Sequence, residues 1–409
     1  MNLALRPGIL HKIAPFTLFT LFNPFNLFTP STSKKMSPQL DMHNTVTAAQ
    51  LRRLVNLQLD TLAKRPELAS ALPPLMVWGA PGLGKSTILR DAAREAGIGF
   101  IDVRLAQREP VDIRGLPVPG PDGVKWLVSS DWPRDPESRG ILLFDEITAA
   151  DRSLQVAAYE IILDRRLGDL YRVPDGWYIC AAGNRAGDRA VATTMSSALA
   201  NRFLHVELGE DAEGWVAWAL RNGILPVVTA FIRFRPGLLF NQEGENLERG
   251  WPTPRAWERV SRMLEAMPAE DEELVRAAVY GLVGNRAGVE FMEFRKLSAT
   301  MDDVLATMLD PAAEIRIPQK ADLRFALCSA AAYHLWRGRD SEDAARRLDG
   351  FYRVCMALSS AFASMLMMDA MAGTDKVSGE EACERLFAHA AFQAWSEKHG
   401  TALRKRIAP

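Results

Sequence analysis

The chain reads as an α/β protein, a parallel sheet with helices on both faces, followed by a region that is helical throughout. Three observations predict this. From about Leu51 to Leu208, short apolar runs alternate with longer segments of helical period. One of those runs ends on a glycine-rich loop, Gly79 to Ser86, that matches G-x-x-x-x-G-K-S and opens a helix-like segment. Beyond Glu210 the strand signal fades, and "WVAWALRNGI", "AWERVSRMLEAM" and "ELVRAAVYGLV" all carry helical period.

Taken in order, "PLMVWG" is a buried strand, "STILRDAAREAG" a helix and "GFIDVRLA" a second strand. The alternation then breaks between Arg108 and Arg134, where a Pro- and Gly-rich stretch predicts an inserted hairpin turning at "PGPDG". It resumes with the strand "GILLFDE", the helix "SLQVAAYEIILDRR", the strand "WYICAAGN", and a short helix leading into the strand "RFLHVEL". Four successive apolar residues in "ILLF" suit a strand covered on both faces. From about Asn285 to the end the chain stays helix-like, with breaks at Pro311, Pro318 and Gly373 to Asp375, and it shows no internal repeat. The Met- and Ala-rich stretch Val354 to Met371 is too short and too polar to span a membrane, and is expected as one buried helix.

With 409 residues the chain can hold two or three domains, and 49 Lys+Arg against 50 Asp+Glu leave a net charge of -1. That balance lacks the basic footprint of a nucleic-acid binder. Cys180, Cys328, Cys355 and Cys383 lie far apart with no C-x-x-C pair, so neither a disulfide framework nor a zinc knuckle is suggested, and a reducing cytoplasm fits. The aromatic-rich start, "KIAPFTLFTLFNPFNLF", is broken by Pro15, Asn23, Pro24 and Asn26 and has no small-residue cleavage site. It fits neither an export signal nor a spanning helix. Met36 and Met42, just ahead of the first helical pattern, make an over-long start assignment the simpler explanation.

Five segments carry chemistry. Gly82 and Gly84 let the backbone turn its N–H groups inward as a nest for phosphate oxygens, and the following helix points its positive end at them. Lys85 would reach the β and γ phosphates, and Ser86 would give its hydroxyl to Mg2+. The strand "ILLF" delivers Asp145 for the Mg2+ shell and Glu146 to polarise the attacking water, although "DEITAADRS" would also suit a helix entry. At the tip of "WYICAAG", Asn184 offers a neutral amide that can hold that water without competing for its protons. Arg202 follows a short helix, where a lone arginine is ordinarily a surface charge. In "GWPTPRAWERV", Pro252 and Pro254 fix a helix entry, and Arg255 sits at its start against the helix dipole.

In this order and spacing, Gly79 to Ser86, "ILLFDE", "GNR", "ALANRF" and "PTPRA" resemble the AAA+ ATPases, and more narrowly the MoxR-like branch. "EPVDIRGLP" looks like the segment that leads into that branch's helix-2 insert. The resemblance covers roughly residues 50 to 265. It implies a P-loop αβα sandwich with a helical lid, ATP bound at subunit interfaces, and a homo-oligomer, commonly a hexameric ring. On it, Gly79, Ala80, Pro81, Gly82, Leu83, Gly84, Lys85, Ser86 and Thr87 bind nucleotide, and Ser86 and Asp145 hold Mg2+. Asp145 and Glu146 carry over as Walker B, Asn184 as sensor 1, Arg202 as the arginine finger and Arg255 as sensor 2. "GNRAGDRA" offers Arg185 and Arg189 as rivals to Arg202.

The domains expected are an unassigned tail at 1–45, a P-loop AAA+ core at 46–210, a helical lid at 211–300 and a helical C-terminal region at 301–409. The function implied is Mg-ATP hydrolysis coupled to remodelling or maturing a protein partner, in the cytoplasm and with no membrane. Proteins that look like this often act with a von Willebrand factor A-domain partner. Two other readings stand beside it. One is a nucleotide-gated scaffold with negligible hydrolysis, against which Glu146 and Asn184 argue. The other is a nucleic-acid motor, against which the near-neutral charge argues.

Overall fold

The computed structural model describes residues 45–121, 123–185, 188, 195, 197–241, 250–267 and 271–407; the expected N-terminal tail (bar Thr45) and Arg189 lie outside them. The chain divides into two compact units, the first ending at Glu210 and the second beginning at Asp211.

In the first unit the elements run β1 (Thr45–Val46), α1 (Ala48–Lys64), β2 (Leu75–Trp78), α2 (Lys85–Glu95), β3 (Gly99–Arg104) and α3 (Pro110–Arg114). Then come β4 (Leu116–Gly120), β5 (Gly123–Leu127), β6 (Gly140–Asp145), α4 (Arg152–Leu163), β7 (Arg166–Leu167) and β8 (Tyr171–Arg172). The unit closes with β9 (Trp177–Gly183), α5 (Ser197–Ala200) and β10 (Leu204–Leu208). Six of the strands form one parallel sheet in the order β1-β10-β2-β9-β6-β3. The antiparallel pairs β4–β5 and β7–β8 stand apart from it.

Strand β6 shows why the sandwich forms. Ile141, Leu142, Leu143 and Phe144 are all fully buried, yet they point alternately to opposite faces. Ile141 and Leu143 join Leu51 and Val55 of α1 and Leu89 and Ala93 of α2. Leu142 and Phe144 join Leu154, Ala158 and Ile161 of α4. Helices cover both faces, so the sheet must be apolar on both. This is a P-loop α/β sandwich with a helical extension, as the alternation predicts. The expected hairpin at "PGPDG" is β4–β5, and its residues are almost all exposed. The two-residue strand β1, which pairs with β10, carries too few residues to register as a sequence pattern.

The second unit is helical: α6 (Ala212–Arg221), α7 (Pro226–Phe234), α8 (Pro254–Ala266), α9 (Glu272–Ser298) and α10 (Val304–Leu309) lead to α11 (Ala321–Arg337). After it come α12 (Ala344–Ala357), α13 (Ser360–Met371), α14 (Gly379–Ala388) and α15 (Phe392–Ile407). One apolar cluster runs through it from Trp215 to Trp395, with Phe231, Trp257 and Phe291 packed ring against ring at its centre. Helix α9 kinks at Gly284, whose φ of 75° and ψ of 168° break the helix.

Val354 to Met371 is two helices, where one was expected. Leu358 and Ser359 adopt extended backbone, and the Ser359 backbone carbonyl accepts the Ala363 N–H to start α13. A second serine, Ser360, turns its hydroxyl to Nδ1 of His399 at 2.9 Å. The extended backbone at Leu358 and Ser359 therefore ends one helix and begins the next, with no side-chain cap hydrogen bond from Ser359. Among the described residues no helix is long and apolar enough to cross a membrane.

Candidate functional site

The loop after β2 owes its shape to glycine. Gly82 and Gly84 take φ of 85° and 96°, values that side chains disfavour. Gly84 is the cap residue of α2, so the first turn of that helix opens directly onto the loop. Lys85 starts α2 and is buried, with its Nζ donating to the carbonyls of Gly79 at 2.6 Å and Ala80 at 3.1 Å. Its ammonium is thus held inside the loop that precedes it.

Two contacts bring the other strands to this loop. Lys85 Nζ donates to Asn184 Oδ1 at 3.1 Å, and Ser86 Oγ donates to Asp145 Oδ2 at 2.5 Å. The second carboxylate oxygen, Oδ1 of Asp145, accepts the Glu146 N–H at 2.9 Å. Both oxygens of Asp145 are therefore oriented.

Glu146 itself has φ of 55°, a left-handed conformation rare for a residue with a side chain. Its neighbour Ile147 is fully buried and donates its N–H to the Ala182 carbonyl of β9. The strand thus ends on a sharp turn that buries Ile147 and leaves Glu146 exposed at the tip. Strain of this kind, about 1–3 kcal/mol for a non-glycine residue, persists only where the surroundings enforce it.

Thr148 is a residue that the sequence reading did not single out. It is buried, and its Oγ1 accepts the Asn184 N–H at 3.1 Å. Gly183 leaves room for it, since a Cβ there would come within 2.7 Å of Thr148 Cγ2 and 2.8 Å of Met76 Cε. The turn after β6 and the tip of β9 therefore lock together. A threonine three residues beyond an acidic pair gives no signal without the fold.

Asp102 on β3 also lies in this neighbourhood. Burial and the nearby Asp145 carboxylate push its pKa up, while Arg104 and Arg90 pull it down. Arg90, one helical turn beyond Ser86, reaches Asp102 Oδ2 at 3.1 Å. Helix α2 is thereby tied to β6 through Ser86 and to β3 through Arg90.

The arginines separate clearly. Arg185 is held by Asp188, with Nη2 to Oδ1 at 2.7 Å, and by Glu207 of β10. The hydrogen bond and charge of Asp188, reinforced by Glu207, hold its pKa above the ordinary arginine value against the effect of burial. Arg202 lies in the turn between α5 and β10, exposed, with no ion pair or side-chain hydrogen bond among the described residues. Arg255 is the second residue of α8, in the helical unit, and is likewise exposed and unpaired among the described residues. Its helix entry is as expected: Pro254 is the first helical residue, and Thr253 accepts the Ala256 N–H at 3.0 Å.

Lys85, Ser86, Asp145, Glu146 and Asn184 thus gather at the C-terminal ends of β2, β6 and β9. The oxygen pair Ser86–Asp145 is the hard donor set that Mg2+ takes together with water and phosphate.

No family model matches the chain, and no curated protein matches it. Among solved structures it is similar to the Thermotoga maritima RuvB Holliday junction branch migration motor, at 18% identity and a TM-score of 0.35 over 64% of this chain and 75% of that one. It is also similar to NtrX of Brucella abortus, at 15% identity and a TM-score of 0.31 over 78% of this chain and 72% of that one. A candidate ATPase of Cytophaga hutchinsonii gives 15% identity and a TM-score of 0.28 over 58% of this chain and 87% of that one.

Proposed function

We propose that the protein is an AAA+ ATPase of the MoxR-like kind, which hydrolyses Mg-ATP to remodel or mature a protein partner. The observation that supports it best is the convergence on one loop of Lys85 with Asn184, at 3.1 Å, and of Ser86 with Asp145, at 2.5 Å. A site that only held a nucleotide would need the loop and Lys85. It would have no use for a strained acidic turn and a neutral amide aimed at the same place.

In this reading Lys85 moves its charge from the Gly79 and Ala80 carbonyls to the phosphates, and the loop N–H groups cradle them. Mg2+, when bound by Ser86 and Asp145, screens phosphate charge. Glu146, free at the tip of its turn, accepts the proton of the attacking water. Asn184 positions that water from beside Lys85, with its own backbone fixed by Thr148. Arg202, exposed and without a side-chain partner among the described residues, supplies transition-state charge to a neighbouring copy in a ring of six, and Arg255 serves as the nucleotide-sensing arginine.

The experiment is steady-state ATP hydrolysis across a protein concentration series, with Glu146→Gln alongside. Turnover per chain that rises with concentration and is abolished in the variant supports a ring motor. Flat turnover that ignores the substitution rejects it in favour of a nucleotide-gated scaffold.

A further inference from the structure

Trp78 is the last residue of β2, immediately before the phosphate loop. Its indole N–H donates to Nδ1 of His205 at 2.8 Å, with the two rings stacked at 6.0 Å and 15°. An indole can only donate, so Nδ1 must accept and the imidazole hydrogen sits on Nε2. That Nε2 meets the carbonyl of Ala200 at 2.7 Å. Phe203 closes a third side, edge-on to the imidazole at 6.0 Å.

Ala200 ends α5 and His205 lies in β10, so this bond clasps the turn that carries Arg202. Within the turn itself, Arg202 N–H and Phe203 N–H reach Leu199 and Ala200 carbonyls at a long 3.2 Å each. The clasp joins that loosely bonded turn to the strand that leads into the phosphate loop. We propose that Trp78 and His205 are positioning residues, which fix the Arg202 turn against the phosphate-loop strand through the chain Trp78–His205–Ala200. The proposal rests on the reading of Arg202 as the arginine that acts on a neighbouring copy. A stacked pair that merely fills space would not need one hydrogen-bonding chain through both imidazole nitrogens.

The test is a double-mutant cycle. His205→Phe keeps a ring and loses both hydrogen bonds; Trp78→Phe keeps a ring and loses the donor. Each is made alone and with Arg202→Ala, and single-turnover hydrolysis with enzyme in excess reads the slow backgrounds. Nucleotide affinity and the thermal midpoint are measured alongside. The expected result is a fall in turnover of about tenfold or more in each single variant, with nucleotide affinity kept and no further fall when Arg202 is already alanine. His205→Gln, which can still donate to the Ala200 carbonyl, should recover part of the loss.

An equal fall in both backgrounds, or none, overturns the proposal, as does a loss of nucleotide affinity matching the loss of turnover. Turnover indifferent to Arg202→Ala overturns the arginine assignment and this proposal with it, whereas turnover indifferent to Glu146→Gln rejects hydrolysis at this site altogether. If His205→Phe does not fold, Trp78→Phe decides the question by the same criteria.

Discussion

Asn184→Asp changes one atom of the site and should do more harm to nucleotide binding than Asn184→Ala. In the structure the amide oxygen accepts from Lys85 Nζ at 3.1 Å. A carboxylate there would face the ammonium at that same distance. For unit charges 3.1 Å apart, an effective dielectric near 20 gives an attraction of about 5 kcal/mol. Even a fraction of this would hold Lys85 back from phosphate, because 1.4 kcal/mol already corresponds to about a factor of ten. The new charge would also repel the phosphates directly.

Asn184→Ala makes neither change. The backbone N–H of residue 184 still reaches Thr148, so the tip of β9 stays in place. Only the amide to which the proposed function assigns the water is lost. Alanine should therefore keep nucleotide affinity within a few-fold and lower turnover by about 10² or more, the lower end of what a positioned catalytic group contributes. Aspartate should weaken affinity at least about tenfold as well. Titration with a fluorescent nucleotide, together with steady-state hydrolysis, separates the two. Wild-type affinity in Asn184→Asp would refute the pairing of Lys85 with this position.

Other consequences are as direct. Arg202→Ala should lower turnover by about 10³, the lower end of what a trans arginine contributes. Mixed with Glu146→Gln subunits it should regain part of that turnover; rescue seen with Arg185→Ala, and absent with Arg202→Ala, would reassign the role. Asp369→Asn should cost about 3–5 kcal/mol in chemical denaturation, because it leaves the buried Arg233 guanidinium, now paired at 2.5 Å, uncompensated. Burial works against that charge and Asp369 outweighs it, so the folded chain cannot readily discharge Arg233. His399 is buried, and burial and Lys398 lower its pKa from 6.5. The unfolded chain then binds more protons than the folded one between the lowered value and about 6.5, so stability rises with pH across that window. Urea midpoints should fall on going from about pH 7.5 to about pH 5.5. His399→Gln should lessen the fall; an unchanged pH dependence would remove His399 as its source.

How much of this the sequence announces depends on how local the cause is. Glycine, Lys85 and Ser86 are legible because a phosphate nest is built from consecutive backbone, and "ILLF" is legible because burial on both faces demands four apolar residues in a row. Asn184 is legible only as the end of a strand. What places it against Lys85 is the pairing of β9 beside β2, a contact between residues 99 positions apart. Thr148 and the Trp78–His205 bond are silent in the sequence for the same reason. The positive φ of Glu146 is silent for another, since it arises from burying Ile147 beneath β9 and not from any preference of glutamate. The break at Ser359 is silent because apolar content continues across it; only the two serines mark it.

Sheet order explains why these residues meet at all. From β2 the chain crosses to β3 at the far edge, returns through β6 and β9 towards β2, and then places β10 on the other side. The connections from β2 and β9, which lie side by side, therefore leave in opposite directions. Between two such strands the loops at their C-terminal ends diverge and open a crevice, the place where open parallel sheets bind ligands. The loop after β2 is Gly79 to Gly84, and the residue after β9 is Asn184. The acidic turn comes from β6, the next strand out, which brings Asp145 to Ser86 without crowding Lys85. Arg185, one residue beyond Asn184, is held by Asp188 and by Glu207 on β10. Both of its anions would have to be surrendered before it could serve a neighbour, whereas Arg202 gives up no partner among the described residues. That difference in what each guanidinium must first lose, more than its position in the sequence, is the physical ground for choosing Arg202.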